Sequence, residues 1–469
     1  GYYDRHIVAM RQALQAPALQ REDIEVIARE HQVCPYQLSI DLLPWMDLVI
    51  ADLHYLYSLT ATFPAMMERD GQRWTALVDE AHNLPGRARS MYAARLAKRD
   101  LMAVKRTLPR RLKSSLERLN RYLLKLQKES WREVGFDTRE GCPHELLSLL
   151  QAFTAAVGEQ HATDPVLLAR LPGLGEFYFR ALQFLRVADR WGDEFRLELS
   201  SDGTPQGLEL TLNCLDPGRL LGERQAGLHS VTAFSATLSP REWMRRGLGL
   251  GPEAVYRRQD SPFESSQLQV SLATGIDTRY RQRGRSLAPL AALILDWLER
   301  QTGNCIVYFP SYRYLTDCLG LLQSIGLCAL PRTLWEQRRD QADAGRDELL
   351  ALLDERRDVA AFCILGGVFG EGVDLPGARL TSVVVVGVGL PQFNRDNEQV
   401  RAYHQRHLGR GFEYAYLYPG LQKVDQALGR VIRRPEDRGR ALLIDSRYAE
   451  SSYRELLPAW WQYSHYEAD

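Results

Sequence analysis

Asp79 and Glu80 follow the apolar run Ala76-Leu77-Val78, and two adjacent carboxylates at the end of such a run suit phosphoryl transfer. That chemistry needs one carboxylate to hold magnesium, a positioned water, and positive charge on the equatorial phosphate oxygens. In an open parallel sheet, ligands bind beyond the carboxyl ends of the strands. Asp79 is therefore expected to take the metal and Glu80 to orient the water, with Ala81 and His82 following directly. The positive charge stands far along the chain, in Gln426-x-x-Gly429-Arg430-x-x-Arg433. Spacing of i, i+4 and i+7 would set Gln426, Arg430 and Arg433 on one helical face. Planar guanidiniums bind phosphate bidentately, so two on one face suit an arginine finger. Each segment also has a plainer reading: a strand end with two solvated acids, and a solvated basic helix face.

Two further segments belong with these. Gly366-Gly367-Val368-Phe369-Gly370-Glu371-Gly372-Val373-Asp374 is glycine-rich and follows an apolar strand, where backbone can approach a ligand closely. It does not read G-x-x-x-x-G-K-[ST], and a plain strand-to-helix turn is its simpler alternative. Ser235-Ala236-Thr237-Leu238 offers small hydroxyls at the end of another apolar run.

The elements that must position these residues are short apolar runs alternating with helical patterns. Residues 1 to 44 read as short helices, with Ile24, Ile27 and Ala28 at helical spacing. Trp45 to Ala51 and Thr75 to Val78 read as buried strands of a parallel sheet. From Arg87 to Asp193 the periodicity is helical, and Leu112, Leu116, Leu119, Leu123 and Leu126 lay one apolar seam along a helix that Pro109 starts or breaks. The same stretch concentrates basic residues, among them Lys98, Arg99, Lys105, Arg106, Arg110, Arg111, Lys113, Arg118, Arg121, Lys125, Lys128 and Arg132. Strand-like runs return at Phe195 to Leu199, Leu208 to Leu212 and Ser230 to Ser235. Beyond Pro262 they recur at Gln267 to Ala273, Asn304 to Phe309, Val359 to Leu365, Leu380 to Val388 and Arg440 to Asp445. Alternation of this kind predicts a second parallel α/β domain.

Composition narrows the setting without deciding the chemistry. A chain of 469 residues, 45% hydrophobic and 25% charged, is long enough for two or three domains with substantial cores. Lys plus Arg equals Asp plus Glu at 59 each, so a nucleic-acid partner must be met by local patches rather than net charge. The seven cysteines are scattered and contain no C-x-x-C pair, which points to a reducing cytoplasm. No apolar run reaches the roughly 18 residues of a membrane span. The start lacks Met and enters a helix-like pattern at once (Ile7, Met10, Leu14), so the chain is expected to begin within something larger.

In order, these segments resemble the superfamily 2 helicases, and more narrowly the XPD/DinG group of iron-sulfur DNA helicases. Val78 to His82 matches motif II, Ser235 to Pro240 motif III, Tyr308-Phe309-Pro310-Ser311-Tyr312 motif IV, Gly370 to Asp374 motif V, and Gln426 to Arg433 motif VI. Ala51 to Leu56, Cys34-Pro35-Tyr36, Cys214-Leu215-Asp216-Pro217 and Ser261-Pro262-Phe263 add supporting matches, so the resemblance spans nearly the whole chain. It implies an α/β fold of two RecA-like parallel-sheet motor domains, the first incomplete, with a helical Arch insertion and a remnant of an iron-sulfur domain. The corresponding boundaries are 1–44 for the remnant, 45–87 with 206–245 for motor domain one, 88–205 for the Arch and 246–469 for motor domain two.

Carried over to this sequence, the resemblance gives ATP and magnesium as cofactors, with Asp79 on the metal, Glu80 activating water and His82 relaying nucleotide state. Arg430 and Arg433 would reach the γ-phosphate, Gln426 would sense it, and Gly372, Asp374 and Thr237 would lie against the nucleotide. Ser311 and Tyr312 would line the path of a single strand, beside the basic Arch residues Arg110, Arg111 and Lys113. The implied partners are single-stranded and tailed duplex DNA, with no membrane, for a monomer that moves 5′ to 3′ in DNA repair. A non-catalytic single-strand-binding or scaffold module is the alternative, and an RNA helicase of the Asp-Glu-Ala-His type fits less well.

The sequence departs from the family in two places. No G-x-x-x-x-G-K-[ST] loop occurs in residues 1 to 469, so the chain alone is expected not to hydrolyse ATP. Of the four cysteines that would hold a 4Fe-4S cluster, only Cys34 has a matching position. A cluster is therefore expected in the intact protein and not in this chain, where a small buried hydrophobe is the better description of Cys34.

Overall fold

The apolar runs form strands in three separate sheets of the protein, described as a computed structural model covering residues 1–105, 108, 110–130, 134–339, 343–367, 375 and 377–467. The chain divides into two compact units, Gly1–Met66 and Met67–Asp469. In the first, helices Tyr2–Ala13, Arg21–Glu30 and Pro35–Leu42 pack around Ala9, Ala13, Ile27, Ala28, Val33, Leu38 and Leu42. Trp45 to Ala51, expected as a buried strand, is not one. After a short turn at Leu43–Trp45 it has no regular structure, and Trp45, Leu48 and Ile50 are exposed. A strand satisfies its N–H and C=O groups only through a neighbour, and no described strand pairs with this run.

The second unit holds all three sheets. Seven strands, β7 (Leu268–Ala273), β8 (Cys305–Phe309), β9 (Thr333–Glu336), β10 (Val359–Ile364), β11 (Ser382–Val386), β12 (Gly439–Ile444) and β13 (Gln462–His465), lie in the order β13-β7-β12-β11-β8-β10-β9. Every neighbouring pair is parallel. Both faces are covered, as a parallel sheet requires. Helices Arg283–Arg300 and Tyr312–Ile325 bury Leu290, Ile294, Trp297, Leu315 and Leu322 on one face, and Asp343–Glu355 and Tyr418–Leu428 bury Leu349, Leu353, Leu421 and Val424 on the other.

β1 (Thr75–Val78) pairs in parallel with β6 (Ser230–Ala233), and these two are the whole of a second sheet. The expectation of a fully buried strand fails at β1. Only Val78 is buried, and Leu77 is 66% exposed. Among the described residues it has one neighbouring strand, so it lies at an edge of the pair.

Between β1 and β6, helices Lys98–Lys105, Arg110–Ser130, His144–Thr163 and Pro172–Asp189 form the expected helical insertion. Leu112, Leu116, Leu119, Leu123 and Leu126 are all buried, and their helix packs on His144–Thr163. Lys113, Arg118, Arg121, Lys125 and Lys128 are exposed. Lys98 is the exception to the basic surface: it is buried, its Nζ donates to the Pro205 carbonyl, and burial lowers its pKa to about 8. Arg106, Pro109 and Arg132 lie outside the described residues, as do the side chains of Arg110 and Arg111.

The region is not helical throughout. β2 (Ala94–Ala97), β3 (Val134–Arg139), β4 (Phe195–Asp202) and β5 (Glu209–Cys214) form an antiparallel sheet in the order β2-β5-β4-β3. Its one-sided alternation is legible in β5, where Leu210, Leu212 and Cys214 are buried while Glu209, Thr211 and Asn213 are half-buried. Among the described residues no helix is long and apolar enough to cross a membrane.

Candidate active site and its helicase relatives

The parallel register of β1 and β6 builds the centre of the site. Val78 stands opposite Ala233, so the chain leaves both strands at the same level, and residues 79–82 run beside 234–237. Two backbone bonds extend the pairing: Phe234 N–H donates to the Val78 carbonyl at 3.0 Å, and Ala81 N–H to the Phe234 carbonyl at 3.1 Å. Glu80 makes the turn in the left-handed region, with φ of 45°. A non-glycine residue there costs on the order of 1 kcal/mol and persists only when its surroundings hold it. Asp79 Oδ1 accepts the Glu80 N–H at 2.7 Å, and the Glu80 carbonyl accepts Asn83 N–H at 2.9 Å.

This turn buries His82 and leaves Asp79 and Glu80 exposed. His82 Nδ1 lies 2.6 Å from Ser235 Oγ, whose hydroxyl donates to Glu80 Oε2 at 3.2 Å. His82 Nε2 meets the side-chain amide of Gln426, on helix Tyr418–Leu428. With the amide nitrogen donating, Nε2 accepts, so Nδ1 carries the proton and points it at Ser235. One imidazole thus connects Glu80, Ser235 and Gln426, which come from three distant parts of the chain.

Gln422, one turn before Gln426, makes a second bridge: its Nε2 donates to the Thr237 carbonyl at 3.2 Å and approaches Thr237 Oγ1 at 3.4 Å. The sequence reading missed Gln422 as a functional residue, although i, i+4 spacing on the helix that carries Gln426 was a legible signal. It named Ser235 only as part of a motif, while the structure makes it the link between His82 and Glu80.

The single helical face expected for Gln426, Arg430 and Arg433 does not form. The helix ends at Leu428, and Gly429 to Val431 is a turn. Asp437 Oδ2 accepts the backbone N–H groups of both Arg433 and Arg434 at 2.8 Å, and Pro435 disfavours helical geometry at the residue before it. Arg430 is 4% exposed, with its charge felt by Tyr308 of β8, while Arg433 is exposed.

Ser311 caps helix Tyr312–Ile325 by accepting the Tyr314 N–H at 3.4 Å, and also accepts from Arg283 at 3.3 Å. Tyr312 Oη accepts from Gln337 at 3.1 Å, and the Arg339 guanidinium lies 5.3 Å from its ring centroid. Tyr312, Gln337 and Arg339 line a shallow depression with Arg313 and Arg338, and the same depression carries the carboxylates Asp317 and Glu336. Gly372 and Asp374 fall outside the described residues.

Cys34 is exposed at the start of helix Pro35–Leu42, and its N–H donates to Tyr2 Oη at 3.1 Å. Among the described residues no three His, Cys, Asp or Glu side chains converge as a metal site. The residues of this chain therefore do not fit a cluster that needs four thiolates. Magnesium fits better, since it takes one or two protein carboxylates and otherwise phosphate and water. Asp79 offers an exposed carboxylate at a strand end.

A DEAD_2 model matches residues 2–101, and a helicase C-terminal domain model matches residues 294–464. The regulator of telomere elongation helicase 1 homolog of Drosophila melanogaster is 26% identical over 271 residues, covering 53% of this chain and 27% of that protein. Its Drosophila grimshawi counterpart is 25% identical over 284 residues, covering 56% and 28%. The matched part is thus little more than a quarter of those relatives' length. Two solved structures, titled XPD helicase and XPD apo, superpose with TM-scores of 0.59 and 0.55 at 16% and 18% identity. They cover 95% and 88% of this chain, and 78% and 81% of their own, and they speak for the fold. The two family models and the helicase relatives support a superfamily 2 helicase family for this chain. Together with the fold they support, within that superfamily, the XPD/DinG type.

Proposed function

We propose that this chain is the carboxyl-terminal portion of an ATP-dependent DNA helicase that moves 5′ to 3′ along single-stranded DNA and unwinds duplexes during repair. The observation that carries the reading is the His82 junction, which joins the carboxylate turn to the helix of Gln426 and so ties one sheet to the other. A motor needs such a junction, because hydrolysis must move one domain against another. In this reading Asp79 holds magnesium, which offsets phosphate charge, and Glu80 orients the water. His82 and Gln426 transmit the nucleotide state. Arg430, Arg433, Thr237, Gly372 and Asp374 approach the nucleotide, with Arg430 moving from its buried position as the domains close.

Residues 45–87 and 206–245 would be the partial first motor domain, 246–469 the second, 88–205 the Arch and 1–44 the remnant whose Cys34 serves a cluster only with three further cysteines. DNA would follow Ser311, Tyr312 and the exposed basic face at Lys113, beside Arg110 and Arg111, through backbone charge and stacking.

We further propose that this polypeptide by itself does not turn over ATP. The sequence contains no phosphate-cradling loop, and the β1–β6 sheet, with Leu77 and Phe234 exposed, is open to strands from elsewhere. Steady-state ATPase and 5′-tailed duplex unwinding, for this chain and for a form extended at its amino end by the upstream coding sequence, test both statements. Turnover only in the extended form is expected. Robust turnover by the 469-residue chain would sink the second statement, and an extended form inert on every DNA would sink the first.

A further inference from the structure

Behind the His82 and Gln426 contact lies a cavity of about 250 Å³, with room for on the order of ten or more water molecules. One wall is helix Leu84–Met91, the other helices Arg395–Leu408 and Tyr418–Leu428, and His82 and Gln426 form the floor. Asp79, Glu80 and Arg433 are not among the residues that line it, although His82, Gln422 and Gln426 are.

Its walls carry Arg89, Arg246 and Lys423 against one carboxylate, Asp216. The Arg89 guanidinium is anchored by Nε donating to the Cys214 carbonyl at 3.2 Å, and Arg246 shares Glu242 at 2.6 Å. Asp216 is turned back on its own loop, accepting the Gly218 N–H at 3.0 Å, and burial raises its pKa. His404 also lines the space. It is 7% exposed, and its buried Nδ1 has no hydrogen-bond partner. Such a group is costly unless something supplies the missing bond. Burial and the charges of Arg89, His407 and Arg246 push His404 down to about 4. The imidazole is therefore neutral at physiological pH, retains one N–H to donate, and sits in a field that favours anions. Trp243 adds a ring surface to the same wall.

We propose that this cavity binds a small phosphate-bearing ligand of mononucleotide size, with Arg89, Arg246 and Lys423 around the phosphate, His404 hydrogen-bonded to it and Trp243 against the flat group. Because its walls come from both sides of the junction, an occupied cavity holds the two sheets together. That consequence for turnover rests on the helicase reading, whereas binding does not.

Calorimetry on the 469-residue chain without magnesium, with AMP in one arm and inorganic phosphate in the other, tests it. Saturable one-to-one binding of AMP, tighter than that of phosphate, is expected. Arg89→Gln should weaken it about tenfold or more, as loss of a charged hydrogen bond does. Gly86→Phe should abolish it while leaving the unfolding midpoint of the chain near that of the parent, since Gly86 lines the cavity and an added Cβ meets nothing within 4 Å. Asp79→Asn should leave it unchanged. No saturable heat from either compound would overturn the proposal. So would binding lost in Asp79→Asn and kept in Gly86→Phe, which would assign the ligand to the carboxylate turn. Equal affinity for phosphate and AMP would overturn the mononucleotide size.

Discussion

The seven-stranded sheet and the two-stranded sheet are built from the same kind of apolar run, yet one is a core and the other a surface. β8, β10 and β11 have a strand on each side and helices on both faces, and nearly every residue in them is buried. β1 has one neighbour, and Leu77 stands 66% exposed. Both sheets are parallel, a pattern normally covered on both faces. The chemistry divides differently from the stability: the carboxylate turn hangs on the open sheet, whereas its partner Gln426 is carried by the complete one.

The largest expected effect tests the core side of this contrast. Phe362→Ala on β10 removes a fully buried ring and should cost about 3–5 kcal/mol in denaturant unfolding. Leu77→Ala on β1 should cost under about 0.5 kcal/mol, as exposed positions do. Equal losses would mean that the two sheets are not as different as their burial makes them.

His404, on a helix of the complete domain, sharpens the comparison at the junction. Its folded pKa, about 4, lies below the ordinary 6.5, so between these values the unfolded chain takes up a proton that the folded chain refuses. Stability is therefore fully present above pH 6.5 and lost as pH falls toward 4, by on the order of 3 kcal/mol. His404→Gln should flatten that part of the pH profile in thermal unfolding; a variant with unchanged slope would refute the assignment.

A smaller effect measures how firmly the two sheets are joined. A double-mutant cycle of His82→Ala and Gln426→Ala should show a coupling of about 1 kcal/mol. Strict additivity would show that the contact contributes nothing in solution. The smallest expected change in stability is at Lys113→Glu on the insertion. It should leave unfolding within about 0.5 kcal/mol and lower affinity for single-stranded DNA, with a shallower salt dependence.

Much of this architecture is legible residue by residue. β7, β8, β10, β11 and β12 stand where strand-like runs put them, and the leucine seam from Leu112 to Leu126 is buried along its length. β9 and β13, the two edges of the same sheet, escaped notice. Thr333-Leu334-Trp335-Glu336 and Gln462-Tyr463-Ser464-His465 are short and mixed in polarity, as edge strands tend to be. Trp45 to Ala51 shows the converse, an apolar run without a partner to make it a strand.

The site divides along the same line. Residue types and spacing alone determined that Asp79 and Glu80 belong at the end of a strand and that His82 follows them, whereas the link from Gln426 and two arginines to the same chemistry is what the family resemblance implied. Those properties are local, set by side-chain type and by the periods of strand and helix. Tertiary structure decided that His82 bridges Ser235 and Gln426, that the helix ends at Leu428 before Arg430, and that His404 is buried beside Arg89 with its Nδ1 unpartnered. Each of these depends on which distant backbone lies alongside, and the energy that selects it comes from packing between elements rather than within them.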